Sequence, residues 1–196
     1  DNNYGKISAS GINIQTGRLS NLSGAISGDS LALNSGEINN RQGTLYASRS
    51  LTIDTNGGKL DNTDTATSGG INSQGTLTLK TGVLINNQGY IAGKSSSQIT
   101  AEGVANTAGV IISEADLALK ASSLDNSQGI VQSQSELDLQ VDSNLTNTGG
   151  QISTGQDLTL KLSGTLDNTN GSLTTEGTLN ITSDSLLNDA GLLYAG

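Results

Sequence analysis

The chain contains no Cys, His, Pro, Met, Trp or Phe. Without Cys or His there is no disulfide framework, no Cys/His zinc site and no Ser-His or Cys-His nucleophile pair. Charge is scarce as well, at 14% of 196 residues, with nine Lys and Arg against eighteen Asp and Glu for a net −9. That balance argues against nucleic acid and against an anionic membrane as partners. No run approaches the ~18 consecutive apolar residues of a membrane span, and no targeting segment is visible. With aromatics at 2%, aliphatic side chains must supply nearly all of the core. The missing initiator Met points to a piece of a longer chain, and the length to one domain over residues 1–196.

What remains is rich in Gly, Ser, Asn and Thr, a composition shared with disordered low-complexity sequence. Periodicity argues otherwise. Asn recurs about every 20 residues, at Asn2, Asn21, Asn40, Asn62, Asn86, Asn106, Asn126, Asn147, Asn168 and Asn188. Two residues before it, from the second occurrence, stands an aliphatic, from Leu19 and Ile38 through to Leu166 and Leu186. Three residues after it comes Gly, at Gly24, Gly43, Gly89, Gly109, Gly129, Gly150 and Gly171 among others. Two further on the aliphatic returns (Ile26, Leu45, Ile111, Ile152), then a small residue, then an aliphatic-x-aliphatic pair such as Leu117/Leu119 or Leu158/Leu160. Two units break the pattern. The fourth reaches Gly69 only after an extra Thr63–Ser68 stretch, and in the fifth a Ser-rich insertion, Lys94–Gln98, displaces Ile99 and Ala101.

Within each unit the apolar period is two, the signature of a strand. Roughly five aliphatics at ~1.5–3 kcal/mol each cannot offset ~1.5 kcal/mol of ordering cost for each of about 20 residues. A single unit therefore does not fold alone. Stacking changes this, because each unit's strands hydrogen-bond in parallel to the next and like aliphatics align. The expected architecture is all-β: a right-handed parallel β-helix of about ten coils with three short strands per coil. At ~4.7–4.9 Å per coil it is a rod of roughly 45–50 Å. The recurrent amides are expected to stack as an Asn ladder, each donating to the next, and the Gly to supply the positive φ of the turn. Both columns read as structural.

Runs such as Leu124-Asp-Asn-Ser-Gln-Gly-Ile-Val-Gln-Ser and Leu166-Asp-Asn-Thr-Asn-Gly-Ser-Leu-Thr-Thr, each followed by Leu-x-Leu, resemble the filamentous haemagglutinin repeat. The resemblance covers essentially the whole chain. It implies part of the shaft of a two-partner-secreted exoprotein of a Gram-negative bacterium, either a haemagglutinin adhesin or a CdiA-type effector of contact-dependent growth inhibition. It implies export through an outer-membrane partner transporter and folding on the cell exterior. A chain without Cys has no periplasmic disulfide to block that passage. The expected function is a monomeric extracellular stalk that holds an adhesive or toxic domain away from the cell. The alternative is a binding module whose coil face or loops contact a host glycan or a host or bacterial surface receptor.

Chemistry-bearing clusters are few. Asp116, Glu136 and Asp157 precede the Leu-x-Leu pair in successive units, so they should line up outward, with Asp138 nearby. Ca²⁺ takes six to eight oxygen ligands, more than a flat ridge offers, so the ridge reads as a solvated one and no metal or other cofactor is expected. A polysaccharide-cleaving enzyme also uses paired carboxylates. Here Arg18, Arg41 and Arg49 lie in the first three units, far from the ridge, and Tyr4, Tyr46, Tyr90 and Tyr194 look scattered. No catalytic residue is expected. The Asn-x-Ser/Thr triplets at Asn21, Asn144 and Asn180 occur easily by chance in such a chain and carry little weight.

Overall fold

The structure, a computed structural model, describes residues 1–196. It contains strands and turns and no helix, and all strand pairs are parallel, each joining a segment to its equivalent about 20 residues on. Coils are numbered 1 to 10 by their Asn, from Asn2 to Asn188. The result is a β-solenoid in which equivalent residues sit above one another. Along one column the pairing runs Ile7↔Ile26↔Leu45↔Ile71↔Ile91↔Ile111↔Val131↔Ile152↔Leu173↔Leu193 without a break.

Alternation places these side chains inside, except that Ile7 is exposed and Leu193 half-buried. Ile26, Leu45, Ile71, Leu84, Leu139 and Leu166 are among the fully buried residues, and the aliphatics form one continuous core. Burial contributes about 1.5–3 kcal/mol per side chain, so each added coil brings its own share while covering its neighbour.

The strand segments run on into one another differently along the rod. In coils 2 and 3 the first and second segments form single strands, Ala25–Ser35 and Thr44–Asp54. In coils 4 to 6 the second and third segments join instead, as in Thr76–Ile85 and Leu117–Asp125. From coil 7 all three are separate, as in Ile130–Ser133, Leu137–Val141 and Leu145–Thr146.

The fifth coil corrects the sequence reading. Lys94–Gln98 is not an insertion, because Gly93 pairs with Ser73 and Ser113, and Ser97 with Leu77 and Leu117. Ile99 and Ala101 are in register with Leu79/Leu119 and Thr81/Ala121. Only the Leu is missing; Ser97 occupies its slot, buried at 4% exposure. The Thr63–Ser68 stretch is a true insertion and is folded against the rod. Thr65 is buried, its hydroxyl donates to the Asn62 carbonyl at 3.0 Å, and it accepts the Tyr90 N–H at 3.0 Å.

Candidate functional site

The recurrent amides occupy the turn after the third segment. Asn106 Nδ2 donates to Asn126 Oδ1 at 2.7 Å, Asn126 to Asn147 at 2.7 Å, and Asn147 to Asn168 at 2.8 Å. The chain of donors runs from Asn2 through Asn21, Asn40, Asn62 and Asn86 below, and ends on Asn188 above. All of these bonds point the same way, each coil donating to the following one. From Asn21 to Asn168 the residues are completely buried. The second amide proton is also used: Asn126 Nδ2 lies 3.2 Å from both the Gly129 and the Gln151 carbonyls. A buried polar column is tolerated because every member is satisfied.

The glycines of the turn do something other than the sequence suggested. Positive φ falls one residue earlier, at Ser23 (51°), Gln42 (54°), Gln88 (50°), Ala108 (50°), Gln128 (56°), Gly149 (62°) and Asn170 (53°). Gly129 itself has no positive φ. It is required by close approach, since a Cβ there would lie 2.6 Å from Asn126 Oδ1 and still closer to the Asn106 carbonyl oxygen. Gly24, Gly43, Gly89, Gly109, Gly150 and Gly171 face the same pair of oxygens in their own coils.

A second polar column escaped the sequence analysis, which read its positions only as small. Ser113 Oγ lies 3.0 Å from the carbonyl oxygens of both Ser95 and Asp116, and Ser133 Oγ lies 2.6 Å from that of Ala115 and 2.8 Å from that of Glu136, so each hydroxyl shares its one proton between two acceptors. Thr154 and Thr175 donate to Ser135 and Gln156 in the same manner. The hydroxyls satisfy corner carbonyls between coils. The signal was present, since Ser73, Ser113, Ser133, Thr154 and Thr175 share a hydroxyl as well as a size.

Asp116, Glu136 and Asp157 do stack, through the register Leu117↔Leu137↔Leu158, and all three are exposed. Two of them serve the backbone: Asp116 Oδ1 accepts the Glu136 N–H at 3.4 Å and Asp157 Oδ1 accepts the Thr178 N–H at 2.7 Å. No group of three His, Cys, Asp or Glu side chains is arranged to hold a metal ion. Asp138 is half-buried, takes a hydrogen bond from Gln140 Nε2 at 3.0 Å on Oδ2, and leaves Oδ1 without a partner. Asp167 is the carboxylate held below its ordinary value of 3.8: the Thr169 hydroxyl and backbone N–H stabilise its charged form, with a smaller contribution from Thr148.

Arg18 pairs with Glu37 at 3.7 Å and Arg41 with Asp64 at 3.3 Å, so these cations are engaged with nearby acids. The tyrosines are less scattered than they looked, because Tyr46, Tyr90 and Tyr194 all point outward from the first sheet segment, while Tyr4 lies in a turn. Among the glycosylation triplets, Asn21 is a fully buried ladder member, and Asn144 uses its Oδ1 to accept the Thr165 N–H at 2.9 Å. Asn180 is exposed on a strand.

The family model of the haemagglutinin repeat matches residues 1–64, 61–121, 96–170 and 136–196, which together cover the chain. The chain belongs to the haemagglutinin-repeat family and is a filamentous haemagglutinin-type structural or adhesin repeat region of a secreted or surface-exposed extracellular protein. No curated protein and no solved structure matches it.

Proposed function

We propose that this chain is a length of rigid extracellular stalk, which holds a distal adhesive or toxic domain away from the cell that produces it. The observation that carries this reading is the unbroken in-register pairing from Ile7 to Leu193, with the amide ladder beside it from Asn2 to Asn188. Bending such a rod strains buried hydrogen bonds in every coil it involves, and its length is additive in coils. The same family membership supports two-partner secretion from a Gram-negative bacterium, with an outer-membrane transporter as the export partner. Coil-by-coil growth suits that route, because a coil already outside offers the next one a complete template of strand edges and an open amide.

The test is removal of whole coils from the full-length protein that carries this segment. A stalk predicts delivery or attachment that declines gradually with each coil removed, whichever coils are taken. Abrupt loss on removing one particular coil contradicts it. So does attachment of the isolated chain to cells or glycan arrays, which would make the rod itself the adhesive module.

A further inference from the structure

One long side of the solenoid differs from the others in charge. In the first sheet segment the residues on either side of the buried aliphatic point outward, and their register is fixed by the strand pairing. One row reads Ala25, Thr44, Gly70, Tyr90, Val110, Ile130, Gln151, Ser172, Leu192, and the other Ser27, Tyr46, Asn72, Ala92, Ile112, Gln132, Ser153, Thr174, Tyr194. From coil 2 to coil 10 not one of these eighteen positions is charged, although the chain carries 27 charged residues. The centre of the face is apolar: Tyr46, Tyr90, Ala92, Val110, Ile112 and Ile130 lie on one stretch of sheet, five of them half-buried and Ala92 buried.

The rest of the surface is electrically lopsided. Residues 1–98 carry seven Lys/Arg and six Asp/Glu, a net +1; residues 99–196 carry two and twelve, a net −10. All five ion pairs lie at or before Lys80, so the acids of the second half are not neutralised by neighbours.

We infer that this uncharged face is an interface between two copies of the chain, packed face to face with their axes antiparallel. A partner of either charge finds no counter-ion on it, and a second copy of the same face meets it without stripping water from any ion. Sheets carrying such residues pack about 10 Å apart with side chains interdigitating. A two-fold axis at Ile112 sets coil 3 of one copy against coil 9 of the other, and the −10 half of each against the +1 half of its partner. Parallel packing would oppose the two −10 halves, which is why the antiparallel form is favoured. Nine coils at ~4.8 Å by four residues at ~3.3 Å give roughly 600 Å² per partner, below the ~800 Å² of a standard stable interface. The dimer is accordingly weak, and it tightens with salt because screening relieves repulsion between two acidic rods.

Sedimentation velocity over a concentration series tests this. The chain is expected to pass from monomer to dimer, Ile112→Glu and Ile130→Lys each to raise the Kd at least tenfold, and Thr159→Glu on another face to leave it unchanged. Circular dichroism melts check that all three variants fold as the parent does, since all three positions point outward. Because the chain lacks Cys, orientation can be read by oxidation: Tyr46→Cys mixed with Thr174→Cys should form the mixed disulfide, and neither variant alone a disulfide dimer. A chain that stays monomeric to the limit of solubility overturns the inference. So does association that survives Ile112→Glu, as end-to-end pairing would, or a face that binds a neutral polysaccharide as monomer.

Discussion

Ser97 stands where Leu77 and Leu117 stand in the coils on either side, and its Oγ occupies the space that a Cβ on Gly93 would need. The pair is a compensated swap. The neighbouring coils have a hydroxyl at the first position and Leu at the second; coil 5 has no side chain at the first and a hydroxyl at the second. The expected outcome follows from a double-mutant cycle. Gly93→Ser alone collides with Ser97 and destabilises. Gly93→Ser combined with Ser97→Leu restores both columns and stabilises by about 2 kcal/mol, the value of one buried Leu. Urea melts of the four proteins measure the coupling; additive effects would contradict the exchange.

Interrupting the amide ladder should be costly. Asn126→Ala removes both links of Asn126 and leaves the Asn106 amide and the Asn147 Oδ1 buried without that partner. At about 1–3 kcal/mol for each orphaned group, the expected loss is about 4 kcal/mol. Hydrogen exchange localises it: amides around residues 124–131 should lose protection first.

The turn makes opposite demands on adjacent residues. Gly129→Ala drives a Cβ toward two oxygens and should destabilise by about 2 kcal/mol or more, as overpacking does. Gln128, at φ 56°, is the residue where glycine would be welcome. Gln128→Gly relieves about 1–2 kcal/mol of left-handed strain against about 0.5–1 kcal/mol of added chain entropy. Thermal melts of the two variants should therefore shift in opposite directions. If Gln128→Gly were the damaging one, the positive φ would not be the constraint at that residue.

The lowered pKa of Asp167 predicts a pH dependence of the fold. Its folded pKa lies below 3.8 because Thr169 stabilises the carboxylate, so its contribution is complete above that value and disappears as pH falls through the folded pKa. Thr169→Val removes the hydroxyl and should lower the melting temperature at neutral pH, with the gap to the parent closing in acid. A gap of constant size from neutral pH into acid would show that the hydroxyl acts without regard to the charge.

Much of the fold could be read from the sequence because stacking repeats each physical demand once per coil. The Asn, the buried aliphatics and the turn Gly recur often enough for a solenoid of about ten coils to be visible without coordinates. Besides the Ser/Thr column and the role of the turn Gly, two further features were lost. Ser97 broke the Leu pattern and looked like an insertion, because a list of residues does not show that Gly93 had vacated the space it fills. The uncharged face was hidden because its residues, such as Thr44, Tyr90 and Gln151, follow no single type; only strand register brings them into one row.

Distance measurement between paired spin labels tests the stacking itself. Asn13, Ala118, Asp138 and Thr159 lie in one outward row through successive pairings, in coils 1, 6, 7 and 8. Cysteines introduced at 13/118, 13/138 and 13/159, in a chain with no other thiol, should give separations that rise in equal steps of about 4.8 Å to about 34 Å at the widest pair. Separations that fail to grow with coil number, or that shrink for the pair farthest apart in sequence, would mean that the coils do not share one axis.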